Sequence, residues 1–208
     1  MELSVLDIKG KKTSKKVKLN DAVFGIEPND HAIYLDVKQY LANQRTGTHK
    51  AKERGEITGS RRKLRKQKGS GAARTGDIKN PILRGGGRIF GPRPRSYGFK
   101  LNKKVKQLAR KSAISQKIKD NGLHILEDFK LDNPKTKAYS EILNSLKVSD
   151  NRSLLILSTA NDNIVRSSNN IPGAEVSIVS ELNTYDILKA KNLVLLESSV
   201  KEIESLLS

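Results

Sequence analysis

From residue 123 to the end, short apolar runs alternate with amphipathic ones. "LHILEDF" (123–129), "SLLILST" (153–159), "AEVSIVS" (174–180) and "NLVLLES" (192–198) read as strands. Between them, "NPKTKAYSEILNSL" (133–146) places Tyr139, Ile142, Leu143 and Leu146 on one helical face, with Asn133 as N-cap and Pro134 in the first turn. "NDNIVRSSNN" (161–170) and "TYDILKA" (184–190) predict shorter helices. "SVKEIESLL" (199–207) predicts a last one, with Ser199 and Glu202 as a capping box and Val200, Ile203 and Leu206 turned inward. Strands that are apolar on both faces and alternate with helices imply a parallel sheet covered on both sides.

The first half is less regular. Leu3–Ile8 and Val17–Phe24 read as two strands around a Lys-rich turn. "PNDHAIYLDVKQYLANQR" (28–45) predicts a helix with Ile33, Val37, Tyr40 and Leu41 on one face. From Arg45 to Gly98 neither a period of 3.6 nor one of 2 persists. Helical spacing returns in "LNKKVKQLARKSAISQKIKDNG" (101–122), through Leu101, Val105, Leu108 and Ile118, with Gly122 as a stop. The expected architecture is α/β: an open, largely parallel sheet flanked by helices on both faces, with one long extended basic loop inserted after the first helix. Residues 1–44 and 99–208 would form one globular domain, and 45–98 the loop.

Charge sharpens that division. The net charge is +18, and residues 45–110 account for all of it, with 21 Lys/Arg against Glu53, Glu56 and Asp77; the remainder holds 19 of each sign. A segment so charged repels itself unless a polyanion offsets it. It also holds 11 of the 15 glycines between Arg45 and Gly98. Cysteine is absent, which removes disulfides, thiolate metal ligands and a thiol nucleophile. No apolar leader follows Met1, and "LLIL" and "LVLL" are too short to span a bilayer, so a cytosolic protein is expected.

Within 45–98, arginine outnumbers lysine ten to six. Guanidinium forks suit phosphates and stack on bases. The glycines allow positive φ and close backbone approach to a polyanion. In "GRIFGPRPRSYGF" (87–99), Phe90 and Tyr97 are candidates for base stacking, and Phe99 for stacking or packing back on the domain. The candidate RNA ligands are Arg45, Lys50, Lys52, Arg54, Arg61, Arg62, Lys63, Arg65, Lys66, Lys68, Arg74, Lys79, Arg84, Arg88, Arg93 and Arg95. Lys103, Lys104, Lys106 and Arg110 extend them at the loop base. Such a finger has too little apolar mass to offset its ordering entropy and is expected to order on RNA.

An enzyme on the α/β half is the rival class. Gly69-x-Gly71 is followed by Arg74 where a dinucleotide fingerprint needs a small residue, and no phosphate-loop motif occurs. His31, His49 and His124 have no metal-type spacing. Ser158, Thr159, Ser198 and Ser199 read as turn and N-cap serines rather than nucleophiles. No catalytic group, metal or cofactor is expected. A third class is a free RNA-binding regulator of transcription or translation, which leader-RNA binding would reveal.

The block "QKGSGAARTGDIKNPILRGGGRIFGPRPRSY" (67–97), with "LNKKV" and "ARKSAIS" after it, resembles the signature of the bacterial family of large-subunit ribosomal protein four. The resemblance covers the whole chain. It implies a structural protein bound to large-subunit rRNA, active early in subunit assembly, with its loop running to the nascent-peptide tunnel. There the tip, Gln67, Lys68, Gly69, Ser70 and Gly71, would narrow the tunnel beside protein twenty-two and meet the nascent peptide transiently. No membrane partner is implied. Many members carry Lys-Pro-Trp-Arg before this tip; here the stretch is Lys63-Leu64-Arg65-Lys66, and a further family arginine is Ala72. Tip stacking by tryptophan is lost and cations are added.

Overall fold

A computed structural model describes all residues, Met1–Ser208. They form two compact units: Met1–Leu41 with Lys100–Ser208, and Ala42–Phe99.

The first unit is built on a six-stranded sheet: β1 (Glu2–Leu6), β2 (Lys12–Lys18), β3 (Leu123–Leu126), β4 (Ser153–Leu157), β5 (Ala174–Ile178) and β6 (Asn192–Leu196), in the order β2-β1-β3-β6-β4-β5. Only the β1–β2 pair is antiparallel. The helices are α1 (Asp21–Phe24), α2 (Asp30–Asn43), α3 (Lys103–Lys119), α4 (Thr136–Ser145), α5 (Asp162–Ser168), α6 (Thr184–Lys189) and α7 (Glu197–Leu207). The α/β class, largely parallel and covered on both faces, is as expected.

Two-residue alternation along the strands creates two cores. Ile125, Leu154, Ile156, Leu193 and Leu195 face one way, onto residues of α1, α2, α3, α6 and α7. Leu126, Leu155, Leu157, Val194 and Leu196 face the other, onto Tyr139, Ile142 and Leu143 of α4 and Ile164 of α5. Burial pushes the Tyr139 phenol well above its usual pKa.

The structure corrects several expected boundaries. The second strand is the Lys-rich segment Lys12–Lys18, not Val17–Phe24. It is an edge strand held by its backbone pairing to β1, so it needs no apolar face, and lysines suit an open edge. Beyond it Asn20 accepts the Ala22 N–H and starts the one-turn α1, which therefore precedes the helix after which the loop leaves. On α2, Asn29 Oδ1 accepts from Ala32 N–H at 3.0 Å; Ile33 is buried and Val37 packs on the core, but Leu41 is exposed. The inner face of α3 is Ala109, Ser112, Ala113, Ile114 and Ser115, while Leu108 is exposed: small residues let this helix approach closely. It ends through Asn121, at φ 56, not Gly122. Helix α4 starts at Thr136 with Lys135 at the cap, because "DNP" is spent on a bend. Helix α7 begins two residues before the expected box. Asp128 accepts its Ser198 N–H, and Ser199 Oγ donates to Leu196 C=O; Leu207, not Leu206, is buried.

His124 on β3 is half-buried, and burial holds its imidazole below the usual pKa, opposed by a hydrogen bond with Asn192. The unfolded chain, with an imidazole near 6.5, therefore takes up this proton at higher pH than the native state does. His124's contribution is fully present above that value and is lost as pH falls toward the native pKa. Urea unfolding at stepped pH should show the loss in the wild type and a flatter profile in His124→Gln. Identical profiles would refute it.

Candidate nucleic-acid interface

No helix or strand lies between α2 and α3, yet residues 42–99 are not a featureless coil. The outgoing and returning chains are tied by backbone hydrogen bonds: Arg95 N–H to Gly47 C=O, Ala51 N–H to Pro92 C=O, Arg88 N–H to Lys52 C=O, and Leu64 N–H to Gly76 C=O at 2.9 Å. At Gly87 a Cβ would lie 2.4 Å from the Arg54 nitrogen, so the two chains can pass only if that residue has none. Of the loop glycines, Gly47, Gly59, Gly69, Gly71 and Gly85 take positive φ.

Each of the three acids in the loop holds one cation. Lys50 pairs with Glu56, Arg93 Nε with Glu53 at 2.5 Å, and Arg54 Nη2 with Asp77 at 2.8 Å. The Lys50 hydrogen bond holds the Glu56 carboxyl below its usual pKa. Asp77 is buried, so Arg54 neutralises a group that would otherwise be costly there. All three pairs lie in the stem, where the chains are also tied.

The tip differs. Ser60 to Arg74 are all exposed, and Arg61, Arg62, Lys63, Arg65, Lys66, Lys68 and Arg74 make no ion pair. Gln67, Gly69, Ser70 and Gly71 are exposed among them, and Lys63 Nζ donates to the Gln67 side-chain oxygen. Arg45, Lys52, Arg84, Arg88 and Arg95 are exposed too. Lys79 is not: it is buried within the loop unit, its aliphatic stem beside Gly59. On α3, Lys103 and Lys104 are exposed and Lys106 is half-buried; Arg110 is also half-buried, with a buried Nε that has no hydrogen-bond partner.

The two stacking candidates part company. Phe90 is 97% exposed, beside exposed Ile89. Tyr97 already carries guanidiniums over its ring, Arg45 at 3.9 Å and Arg95 at 4.5 Å from the centroid, and its hydroxyl lies 3.2 Å from His49 Nε2. Arg95, then Arg45, draw its phenol below the usual pKa. Tyr97 organises the loop base, and Phe90 remains the free ring. Phe99 is half-buried.

In the first unit, Ser198 Oγ donates to Asp128 Oδ1 at 2.8 Å and lies 3.1 Å from Ser158 Oγ, beside the start of α7. Neither Ser198 nor Ser199 is the expected N-cap: both lie inside α7, whose cap position is Leu196, and it is the Asp128 carboxylate that accepts from the helix's first turn. No helix is long and apolar enough to cross a membrane.

The family model described as ribosomal protein L4/L1 family matches residues 17–206. The chain belongs to the ribosomal protein L4/L1 family. Among its relatives, the large ribosomal subunit proteins uL4 of Christiangramia forsetii and Phocaeicola vulgatus are 61% and 59% identical over 208 residues, all of both chains. That of Parabacteroides distasonis is 61% identical over 204 residues, 98% of each chain. L4/L1 membership makes this a ribosomal protein of the translation machinery, structural rather than enzymatic.

Three of the four backbone ties and all three ion pairs lie in the stem, and this carries a prediction. Limited trypsin digestion of the free chain is expected to cut first between Arg61 and Arg74. Protection there equal to that of the stem would contradict an unsupported tip.

Proposed function

We propose that the chain is a structural constituent of the large ribosomal subunit that binds 23S-type rRNA through residues 45–98, assisted by the basic start of α3. The observation that carries this reading is the exposed, unpaired cationic tip of the segment that holds the protein's whole net charge, in a chain whose relatives are named for the large subunit. Residues 1–44 and 99–208 act as the globular body. The loop narrows the peptide exit tunnel at Gln67–Gly71 with Lys68 foremost, beside protein twenty-two and transiently the nascent peptide, and the protein acts early in assembly, in the cytoplasm. The exposure of these five residues supports that placement.

Phosphate neutralisation releases condensed counterions, so affinity should fall steeply with salt. Binding of the chain to large-subunit rRNA, measured across a salt series, is expected to give a log–log slope of magnitude about 5 or more, the signature of seven or more phosphate contacts. The protein should also co-sediment with 50S-sized particles through moderate salt washes. A flat salt dependence, or failure to co-sediment, would overturn the reading.

A further inference from the structure

Between the outgoing and returning chains of the loop lies a cleft of about 880 Å³, lined by residues 57–60, 62–66, 78, 84 and 85. Its composition is mixed in an unusual way. Ile57, Leu64 and Ile78 supply apolar surface, and Leu64 and Ile78 leave 47% and 48% of theirs uncovered. Arg62, Arg65 and Arg84 are exposed on the same lining, and no carboxylate is among the lining residues. A pure phosphate track needs no apolar floor, and a protein-docking groove needs no ring of unpaired guanidiniums. One ligand has both characters at this scale: a nucleotide whose base has left its stack, apolar on its faces and flanked by phosphates. The volume falls in the range of sites that enclose small ligands, about 300–1,000 Å³.

Two features of the chain itself shape the cleft's wall. Leu64 N–H is tied to Gly76 C=O. Gly59 makes room for Ile78: a Cβ there would come within 3.0 Å of Ile78 Cγ2. Arg61, Lys63 and Arg74 line a second recess, where Thr75 Oγ1 is buried without a hydrogen-bond partner. Lys63 lines both recesses.

We propose that the Ile57–Leu64–Ile78 cleft is a nucleobase pocket, taking one unstacked RNA base on its apolar floor while Arg62, Arg65 and Arg84 hold the flanking phosphates. The proposal rests on the reading of the loop as an rRNA ligand and adds a base-accepting site to a surface otherwise described only by its charge. Because the floor is aliphatic, it takes any base and reads no sequence.

The test compares a short end-labelled single-stranded RNA with the same RNA carrying one abasic ribose at its centre, titrated with the full chain by fluorescence anisotropy. Loss of the base removes apolar burial but no phosphate, so affinity is expected to drop about tenfold with the salt slope unchanged. In Leu64→Ser/Ile78→Ser, both at half-exposed positions, the two RNAs should bind alike. The wild-type comparison alone suffices if that variant misfolds. Equal affinity of the wild type for both RNAs, or no binding of either, overturns the pocket. Salt-dependent binding of the long rRNA by the same protein would persist in that case, whereas its absence would sink the rRNA reading itself.

Discussion

Replacing Arg61, Arg62, Arg65 and Arg74 together by glutamine is expected to weaken binding to large-subunit rRNA by about a thousandfold. At about 1 kcal/mol net for each water-exposed contact, four contribute about 4 kcal/mol, and every 1.4 kcal/mol is tenfold. The four guanidiniums are exposed, and the loop's three acids are engaged elsewhere. They therefore keep their full capacity for phosphate, and removing them unmakes no bond of the free protein. The salt slope should shrink by about three, since each lost contact releases about 0.7–0.9 fewer counterions. Thermal unfolding should be unchanged, because none of the four belongs to either core cluster. Filter binding across a salt series reads all of this. A loss under tenfold would move the anchor away from the tip, and a large fall in melting temperature would make the arginines structural.

The loop follows from how its few acids are distributed. Were they scattered, they would engage the tip cations and compete with phosphate. Instead Glu53, Glu56 and Asp77 neutralise stem cations, and three stem backbone ties hold the same region. Ordering the stem in advance reduces the entropy that binding must overcome, while the unpaired tip retains its charge for the partner.

Much of this was legible in residue order, for particular reasons. Strands β4 and β6 are apolar on both faces, and only a sheet covered on both sides satisfies them. Tyr139, Ile142 and Leu143 mark the inner face of α4 by spacing alone. Strand β2 was not legible, because an edge strand identified by backbone pairing carries lysines where a pattern would look for valines. The inner face of α3 was legible only in part: Ile118 packs on the core as its spacing implies, but Ala109, Ser112 and Ala113 pack by being small. In the loop, the charge segregation could be read directly. The burial of Lys79, the guanidiniums over Tyr97 and the apolar floor of the cleft could not. Each depends on which residues of two irregular chains meet, and Arg54 meets Asp77 across 23 positions of sequence.

Leu195→Ala is expected to destabilise the first unit by about 3–4 kcal/mol, the range for emptying a fully buried leucine site that cannot collapse. Leu195 lies on β6 between β3 and β4, and the registers place it level with Ile125 on one side and Ile156 on the other, with Val5 beyond Ile125. All four are at most 1% exposed. A cavity in such a row is bounded by two paired strands, whose hydrogen bonds fix their spacing, so the walls have little freedom to close. Chemical denaturation should report the loss at nearly constant m, and the melting temperature should fall by about 10 °C for a chain of this size. Leu195→Met, close in volume, should cost less than about 1.5 kcal/mol. Affinity for rRNA, measured where both variants remain folded, should not move, because the row makes no contribution to the loop's charge. A cost near that of the methionine variant would show that the site collapses and that the strand spacing is softer than its ladder implies.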